Sequence, residues 1–429
     1  MKIKLQITDF IILITIASTT LYIFPRNLPF NLGSFAALWA PATLLLIFSM
    51  RPKSLIRGPM RMIILYGIIS VGILQYTLWK YMSNWNQIRI LYEVYYLFVF
   101  TAIWSYYYGK RDFGRLALLS KLAFIFIIFS LVATNVALFF DPAIVRDSAN
   151  NAEFTSFQER VFNLTGAMDY SYMQAIICLI PILAYHIKLK QQMVFNRSIL
   201  IIILALIIVT QLRSQVFANI LVTVCISALS LIGSKNLRAS IVTISLVCIM
   251  LVAIPGTFYA ERLYDLGSNF APNSLMNRKL SGFAVFIEDP GIDDSNEVGS
   301  RAARYPLLFR ALQVRPMLGH ASYDSTMSIG GGSHLYWMNR LAMWGIPGFI
   351  FFILLLYKIF KSVSIHFNDG FRFYYMLSAA TIIFLGLLKA IGGREPWLML
   401  ILVIPGLYYL PLLEKKMVNV SQTGNSQTF

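Results

Sequence analysis

Between Gly299 and Gly348 the chain reads GSRAARYPLLFRALQVRPMLGHASYDSTMSIGGGSHLYWMNRLAMWGIPG, and Arg301, Arg304 and His334 stand there between strongly apolar runs. Guanidinium is permanently charged and offers a planar fork that pairs bidentately with phosphate oxygens. Imidazole, with an unperturbed pKa of about 6.5, is neutral at working pH and can accept the proton of a hydroxyl. These types in one stretch suit group transfer from an anionic phosphate: arginines hold the charge of the leaving group, and His334 is the catalytic base. Arg213 in TQLRSQVF and Arg301 are the expected clamps on that phosphate, with Arg304 a weaker partner. Arg394, with Lys389 in KAIGGREPW, is weaker still, and ordinary loop charge explains both equally well.

Each of these residues also has a plainer role. Arg301 and Arg304 could rest on lipid headgroups, Arg213 could snorkel from a helix end, and His334 could be a polar residue before a helix. Their placement on one predicted side of a membrane favours chemistry. His186, His320 and His366 are read as structural. The carboxylates Asp289, Asp293, Asp294 and Glu297 are the only acidic cluster that suits a divalent cation, but EDPGIDDSNE reads first as a solvated turn, so no metal site is assigned.

The surrounding elements follow from composition. The 429 residues are 58% hydrophobic and 13% charged, with a mean hydropathy of +0.67, which excludes a water-soluble domain. Spanning needs about 20 apolar residues, and such runs lie near 8–24, 32–50, 62–79, 88–107, 115–139, 168–187, 197–212, 214–232, 239–256, 337–358, 373–391 and 396–413. The expected fold is an all-α polytopic membrane domain over 1–413 with about twelve spans and a polar cytoplasmic tail, 414–429. The pair 197–212 and 214–232 reads either as a tight hairpin or as one interrupted helix.

Basic residues then sort to one side: Lys2, Lys4, Arg51, Lys53, Lys110, Arg111, Lys188, Arg197, Lys235, Lys358, Lys361 and Arg372 fall on the expected cytoplasmic segments. Much of the +17 net charge lies there, which suits anionic lipid and not nucleic acid. The first apolar run lacks a small-residue cleavage site and reads as an uncleaved span. Two outer loops are expected, about 140–167 and 257–336. The second contains short helices: Arg301 and Arg304 open a helical run, with Tyr305, Leu308 and Leu312 at helix-like spacing, that Pro316 and Gly319 end. Cys178, Cys225 and Cys248 fall in spans and form no disulfide framework.

These residues carry a resemblance. Gly299, Arg301, Tyr305, Pro316 and Gly319 follow a pattern of G-x-R, an aromatic and P-x-x-G; His334 is followed eleven residues later by Gly345, Ile346, Pro347 and Gly348; and Arg213 fits a further arginine after an apolar run. The chain thereby resembles the O-antigen ligase and O-antigen polymerase superfamily, integral membrane glycosyltransferases that use undecaprenyl-pyrophosphate-linked glycans. Two positions depart from that pattern: Leu335 replaces the polar residue that normally follows the histidine, and His320 stands where a small residue is common.

The resemblance implies a GT-C-like architecture in the bacterial inner membrane, an active site facing the periplasm and no cofactor. It also implies partners: lipid-linked glycan donor and acceptor, membrane lipid and a possible chain-length regulator. The GGGSHLYW context is nearer the repeat-unit polymerases than the ligases, which pass a finished glycan to lipid A-core. A flippase or transporter of lipid-linked oligosaccharide is the alternative of another class. It would need ionisable groups in mid-membrane, for which Glu93 and Lys121 are the candidates, but no outer loop of about 80 residues.

Overall fold

The computed structural model describes residues 6–20, 32–50, 60–61, 63–65, 88–149, 154–166, 169–189, 194–232, 256–270, 272, 275–288, 304–320, 335–391 and 393–411. Among them the chain is helical and contains no strand. In order the helices are α1 (Ile7–Thr20), α2 (Leu32–Met50), α3 (Ile88–Lys110), α4 (Phe113–Phe140), α5 (Ile144–Ala149), α6 (Ser156–Thr165), α7 (Tyr170–Ile177), α8 (Ile180–Leu189), α9 (Arg197–Arg213), α10 (Phe217–Ile232), α11 (Gly256–Ser268), α12 (Leu275–Glu288), α13 (Arg304–Val314), α14 (Tyr336–Ser364), α15 (Asp369–Leu388) and α16 (Glu395–Tyr408).

Four segments are long and apolar enough to cross a membrane: α4, the α7–α8 pair, α14 and α15. Helices α1, α10 and α16 and the Trp39–Met50 part of α2 are apolar but shorter. The chain is thus an α-helical membrane protein. The expected spans at 62–79 and 239–256 fall almost wholly outside the described residues.

Local sequence explains where the helices begin. An Asp or Asn stands just before an apolar run, and its side chain accepts an otherwise unpaired N–H of the first turn. Asp112 does this for α4, Asp169 for α7, Asn196 for α9 and Asn368 for α15. Between α9 and α10 the chain reverses at Ser214–Val216, with Gln215 at φ 54°. Asn219 Nδ2 donates to Gln211 Oε1 at 3.2 Å across the reversal. The open question over 197–232 therefore resolves as a hairpin.

Spans joined directly by a described turn, α3–α4, α9–α10 and α14–α15, run antiparallel, and the bundle has two chemically distinct ends. One gathers Lys110, Arg111, Arg115, Lys188, Arg197, Lys358, Lys361 and Arg372 near helix termini. There Asp9 accepts from Tyr107 Oη at 2.5 Å and pairs with Arg115 Nε at 3.7 Å, which ties α1 to the turn between α3 and α4. The opposite end gathers the C-termini of α1, α4, α9 and α15 and the N-termini of α7, α10, α14 and α16.

Between the ends, Phe100, Phe124, Tyr172, Phe371 and Tyr375 fill the interior, while Phe129, Ile202, Val224, Leu354 and Ile383 face outward, an apolar exterior suited to lipid. Hydroxyls cross-link the interior: Thr15 with Thr43 at 2.8 Å, Ser130 to Thr20 O at 2.7 Å and Tyr172 to Ile127 O at 2.6 Å. Such bonds contribute only about 0.6 kcal/mol each in a bilayer. Side-chain packing therefore carries most of the association.

Candidate functional site at one end of the bundle

Helix α14 is two helices joined at a kink. Gly345 takes φ 67° and ψ 179°, and Pro347 just beyond it lacks the N–H that would continue the ladder. This separates a short outer half, Tyr336–Trp344, from the straight arm Ile346–Ser364. The turn that ends α13 docks into the kink. Ile346 N–H donates to Pro316 O at 2.8 Å, and His320 N–H donates to Ala342 O at 3.0 Å. Gly319, at φ 62°, approaches so closely that a Cβ there would stand 2.3 Å from Met343 O. Pro316 with Gly319 and Gly345 with Ile346 belong to two separate motifs of the sequence. In the fold they form one backbone-to-backbone joint.

Helix α13 runs from Arg304 to Val314 and stops ahead of Pro316 and Gly319, as the sequence predicts, while the expected opening at Arg301 lies outside the described residues. Leu308 and Ala311 pack on Leu335 and Ala342 of the α14 segment. Arg304 itself is half-buried at the first turn. Tyr305 Oη donates to Leu387 O at 2.5 Å, and Tyr336 N–H donates to Lys389 O at 3.3 Å. Both bonds fasten this layer to the exit of α15.

Lys389 and Arg394 differ from solvated loop charge. Lys389 is buried, with its ammonium 3.5 Å from the centre of the Tyr170 ring, a cation–π contact strengthened by desolvation. Arg394 reaches three elements: Nη1 donates to Tyr96 Oη at 3.3 Å, Nη2 to Ser18 O at 3.0 Å and Nε to Glu395 Oε1 at 3.2 Å. Glu395 Oε2 also accepts the Arg394 backbone N–H at 3.0 Å, just before α16 begins. The guanidinium therefore joins α1, α3 and α16. Gly393, at φ 80°, lets this turn press on Ser171, where a Cβ would come within 2.5 Å.

Asp169 completes the cluster. Its Oδ1 accepts Ser171 N–H at 3.0 Å and Tyr172 N–H at 3.1 Å. Desolvation pushes its carboxyl above the usual range, and the nearby Glu395 charge adds to this; the Tyr172 N–H, Arg394 and the Ser171 N–H oppose it. At this end of the bundle the carboxyls of Asp169 and Glu395 thus stand beside two largely enclosed cations, Lys389 and Arg394.

Arg213 is the last residue of α9, half-buried, with its guanidinium 5.0 Å from the centre of the Phe139 ring at the end of α4. Amides link its helix to the Lys389–Arg394 turn. Gln211 Nε2 donates to Met173 O at 2.9 Å, and Gln174 Nε2 donates to Ala390 O at 2.7 Å. Lys279 of α12 closes over the α9–α10 turn by donating to Gln215 O at 3.0 Å. Arg213, Arg304, Lys389 and Arg394 accordingly share one end of the bundle. Arg301 and His334 lie outside the described residues, which resume at Leu335. No family model, curated protein or solved structure matches this chain. The functional reading rests on its own residues.

Three features were missed in the sequence. Asp169 and Glu395 stand far apart in the sequence, and only the fold brings them together around Arg394. Arg340 is buried between the rings of Tyr336, at 4.8 Å, and Trp344, at 5.2 Å. Aromatics four residues to either side of an arginine on one helix face are a signal visible in YWMNRLAMW. His320 Nε2 lies 2.8 Å from Ala311 O, a structural contact between α13 and its own following turn. Among the described residues no three of His, Cys, Asp and Glu are grouped to hold a metal ion. The acidic run 289–297 lies outside them.

Proposed function

We propose that this chain is a bacterial inner-membrane glycosyltransferase that polymerises undecaprenyl-pyrophosphate-linked repeat units at the periplasmic face. The observation that carries the reading is the joint between Gly319 and Gly345. It ties together the two ends of the stretch that contains His334, at the same end of the bundle as Arg213, Arg304, Lys389 and Arg394. The opposite, more basic end is then cytoplasmic, as the bias of lysine and arginine in short loops requires.

In this reading the acceptor hydroxyl, on the distal sugar of one lipid-linked unit, attacks the anomeric carbon of the growing chain. A carbon–oxygen bond forms, the bond from that carbon to the pyrophosphate oxygen breaks, and undecaprenyl pyrophosphate leaves with the electron pair. His334 accepts the hydroxyl proton. Arg213 and Arg301 pair with the leaving pyrophosphate, and Arg304 supports them. Arg394, already engaged by Glu395, Tyr96 and Ser18, fixes the shape of the site. Among the described residues the buried charged side chains Asp9, Lys389 and Glu395 lie near the bundle ends, Arg340 lies in the outer half-helix, and Lys121, half-buried in α4, stands in the first third of its span, an arrangement that suits surface chemistry better than a path across the membrane.

The test is the glycan product in cells that lack the native gene. His334→Ala should nearly abolish polymer, by about 10²–10⁴-fold in rate, leaving one capped repeat where wild type shows a ladder. Arg301→Lys, which keeps charge but loses the fork, should also fail, whereas His320→Ala should stay within a few-fold of wild type. Loss of all capping in the deletion strain would assign the chain to the ligase step. A full ladder from His334→Ala would end the catalytic assignment.

A further inference from the structure

The segment Arg304–Gly319 is pinned at two places. Tyr305 is held by Leu387 at the end of α15, and the turn at Pro316–Gly319 is held by Gly345, where the straight arm of α14 begins. The arm Ile346–Ser364 and helix α15 leave the same short turn, where Arg372 Nε bonds Ser364 O at 3.2 Å. They are of nearly equal length, about 30 Å at 1.5 Å per residue, which matches the hydrocarbon thickness. Gly345 and Leu387 therefore lie at one depth, the level where both helices leave the membrane. A helix of 11 residues stretched between two such points runs along the membrane surface.

Its exposed side chains suit that position. Phe309 is 53% exposed, Val314 73%, and Met317 and Leu318 66% each. They continue the outward apolar surface formed by Ile346, Ile350 and Leu387 on the spans. Arg304, Arg310 and Arg315 alternate with them, and 304–320 contains no acidic residue. Aromatic and aliphatic side chains interleaved with arginine, on a short helix at bilayer level, match an interfacial helix that buries apolar groups at the acyl boundary and places guanidinium among phosphates.

We infer that Arg304–Gly319 is an interfacial strap whose exposed apolar side chains enter the bilayer and whose Arg310 and Arg315 bind the phosphates of anionic bilayer lipid. This does not depend on the glycosyl-transfer reading. It makes the lipid surface a third support of the joint at Gly345.

The test uses the full chain with Cys178, Cys225 and Cys248 replaced by alanine and a bimane label on Val314→Cys, Leu318→Cys or, as a lipid-facing reference, Leu354→Cys. Each is reconstituted in phosphatidylcholine vesicles with and without phosphatidylglycerol. Brominated lipid should quench labels at 314 and 318 to within about two-fold of the reference, and phosphatidylglycerol should increase that quenching. The increase should vanish when Arg310→Gln and Arg315→Gln are combined. Quenching of 314 and 318 by aqueous iodide but not by bromolipid overturns the strap. If only a polyprenyl pyrophosphate, and not phosphatidylglycerol, produces the increase, the arginines serve a substrate lipid and the assignment to bilayer lipid falls. A membrane-partitioning diazirine on the wild-type protein guards against misfolded variants: adducts at Phe309, Val314, Met317 or Leu318 support the strap, and labelling of Leu354 without them overturns it.

Discussion

Gly319 and Gly345 hold each other's shape. A Cβ on Gly319 would stand 2.5 Å from Gly345 N, and a Cβ on Gly345 would stand 2.5 Å from Met317 O, with both residues at positive φ. Backbone fills the space a side chain would need, so no rotamer change can relieve the clash.

Gly319→Ala and Gly345→Ala should each lower the melting temperature of the detergent-solubilised protein and remove polymer. The left-handed backbone alone costs about 1–2 kcal/mol for a residue with a Cβ, and the contact with backbone atoms adds to it. Gly267→Ala is the comparison, because its Cβ would meet Leu280 Cβ at an ordinary 3.6 Å. Equal effects at Gly267 and Gly319 would contradict the joint.

The raised carboxyl of Asp169 predicts a pH dependence. The folded protein holds this proton to higher pH than the unfolded chain, so folding takes up a proton in that window. Its contribution to stability is greatest below the ordinary carboxylate value and declines as pH rises through the raised value. Asp169→Asn keeps an oxygen to accept from Ser171 and Tyr172 but has no charge. It should melt higher than wild type at neutral pH and show less loss between acid and neutral. Asp169→Ala forfeits the cap, worth about 1 kcal/mol. An Asn variant no more stable than Ala would refute this account.

Arg394→Met should destabilise strongly, because it takes the guanidinium away from the buried Glu395 carboxylate, and breaking a buried ion pair costs about 3–5 kcal/mol. Combining it with Glu395→Gln should recover much of the loss, since the desolvated charge is gone. Thermal melts of the two single variants and the double variant give the coupling. Additive losses would show that the pair does not act as a unit.

Purified protein given its lipid-linked repeat unit should form polymer in excess chelator, because arginines carry the anionic leaving group in the proposed mechanism. Activity that disappears with chelator and returns with Mg²⁺ would move the assignment to the carboxylates of 289–297.

Much of this architecture is written locally. Apolar runs bounded by Asp112, Asn196 and Asn368 declare their helix starts, and Pro316 with Gly319 declares the end of α13. The kink in α14 was legible only in part: Gly345-Ile-Pro-Gly marks a special turn, but a continuous span over 337–358 hides the separate outer half. The partners of Arg394 were not legible at all. Ser18 lies 376 residues away and Tyr96 lies 298 away, and no local period encodes contacts that arise only when α1, α3 and α16 meet. Arg394 therefore reads as loop charge until its surroundings are known.

The last helix contains one wide turn, Met399–Val403, where Ile404 N–H bonds back to Met399 O across five residues. Pro405 supplies no N–H to the ladder, and carbonyls of the turn are met from outside: Ser120 Oγ donates to Leu402 O at 3.0 Å and Tyr375 Oη to Leu400 O at 3.0 Å. Such a turn holds one residue more than its α-helical counterpart, and each residue advances the helix by about 100°. The extra residue therefore sets the azimuth of everything on its N-terminal side, aiming Arg394 at Tyr96 while Gly406, on the other side, stays locked against Ser120. Deleting one residue from this turn would swing Arg394 and Glu395 by more than a quarter revolution and turn the charged cluster away from the helices that now enclose it.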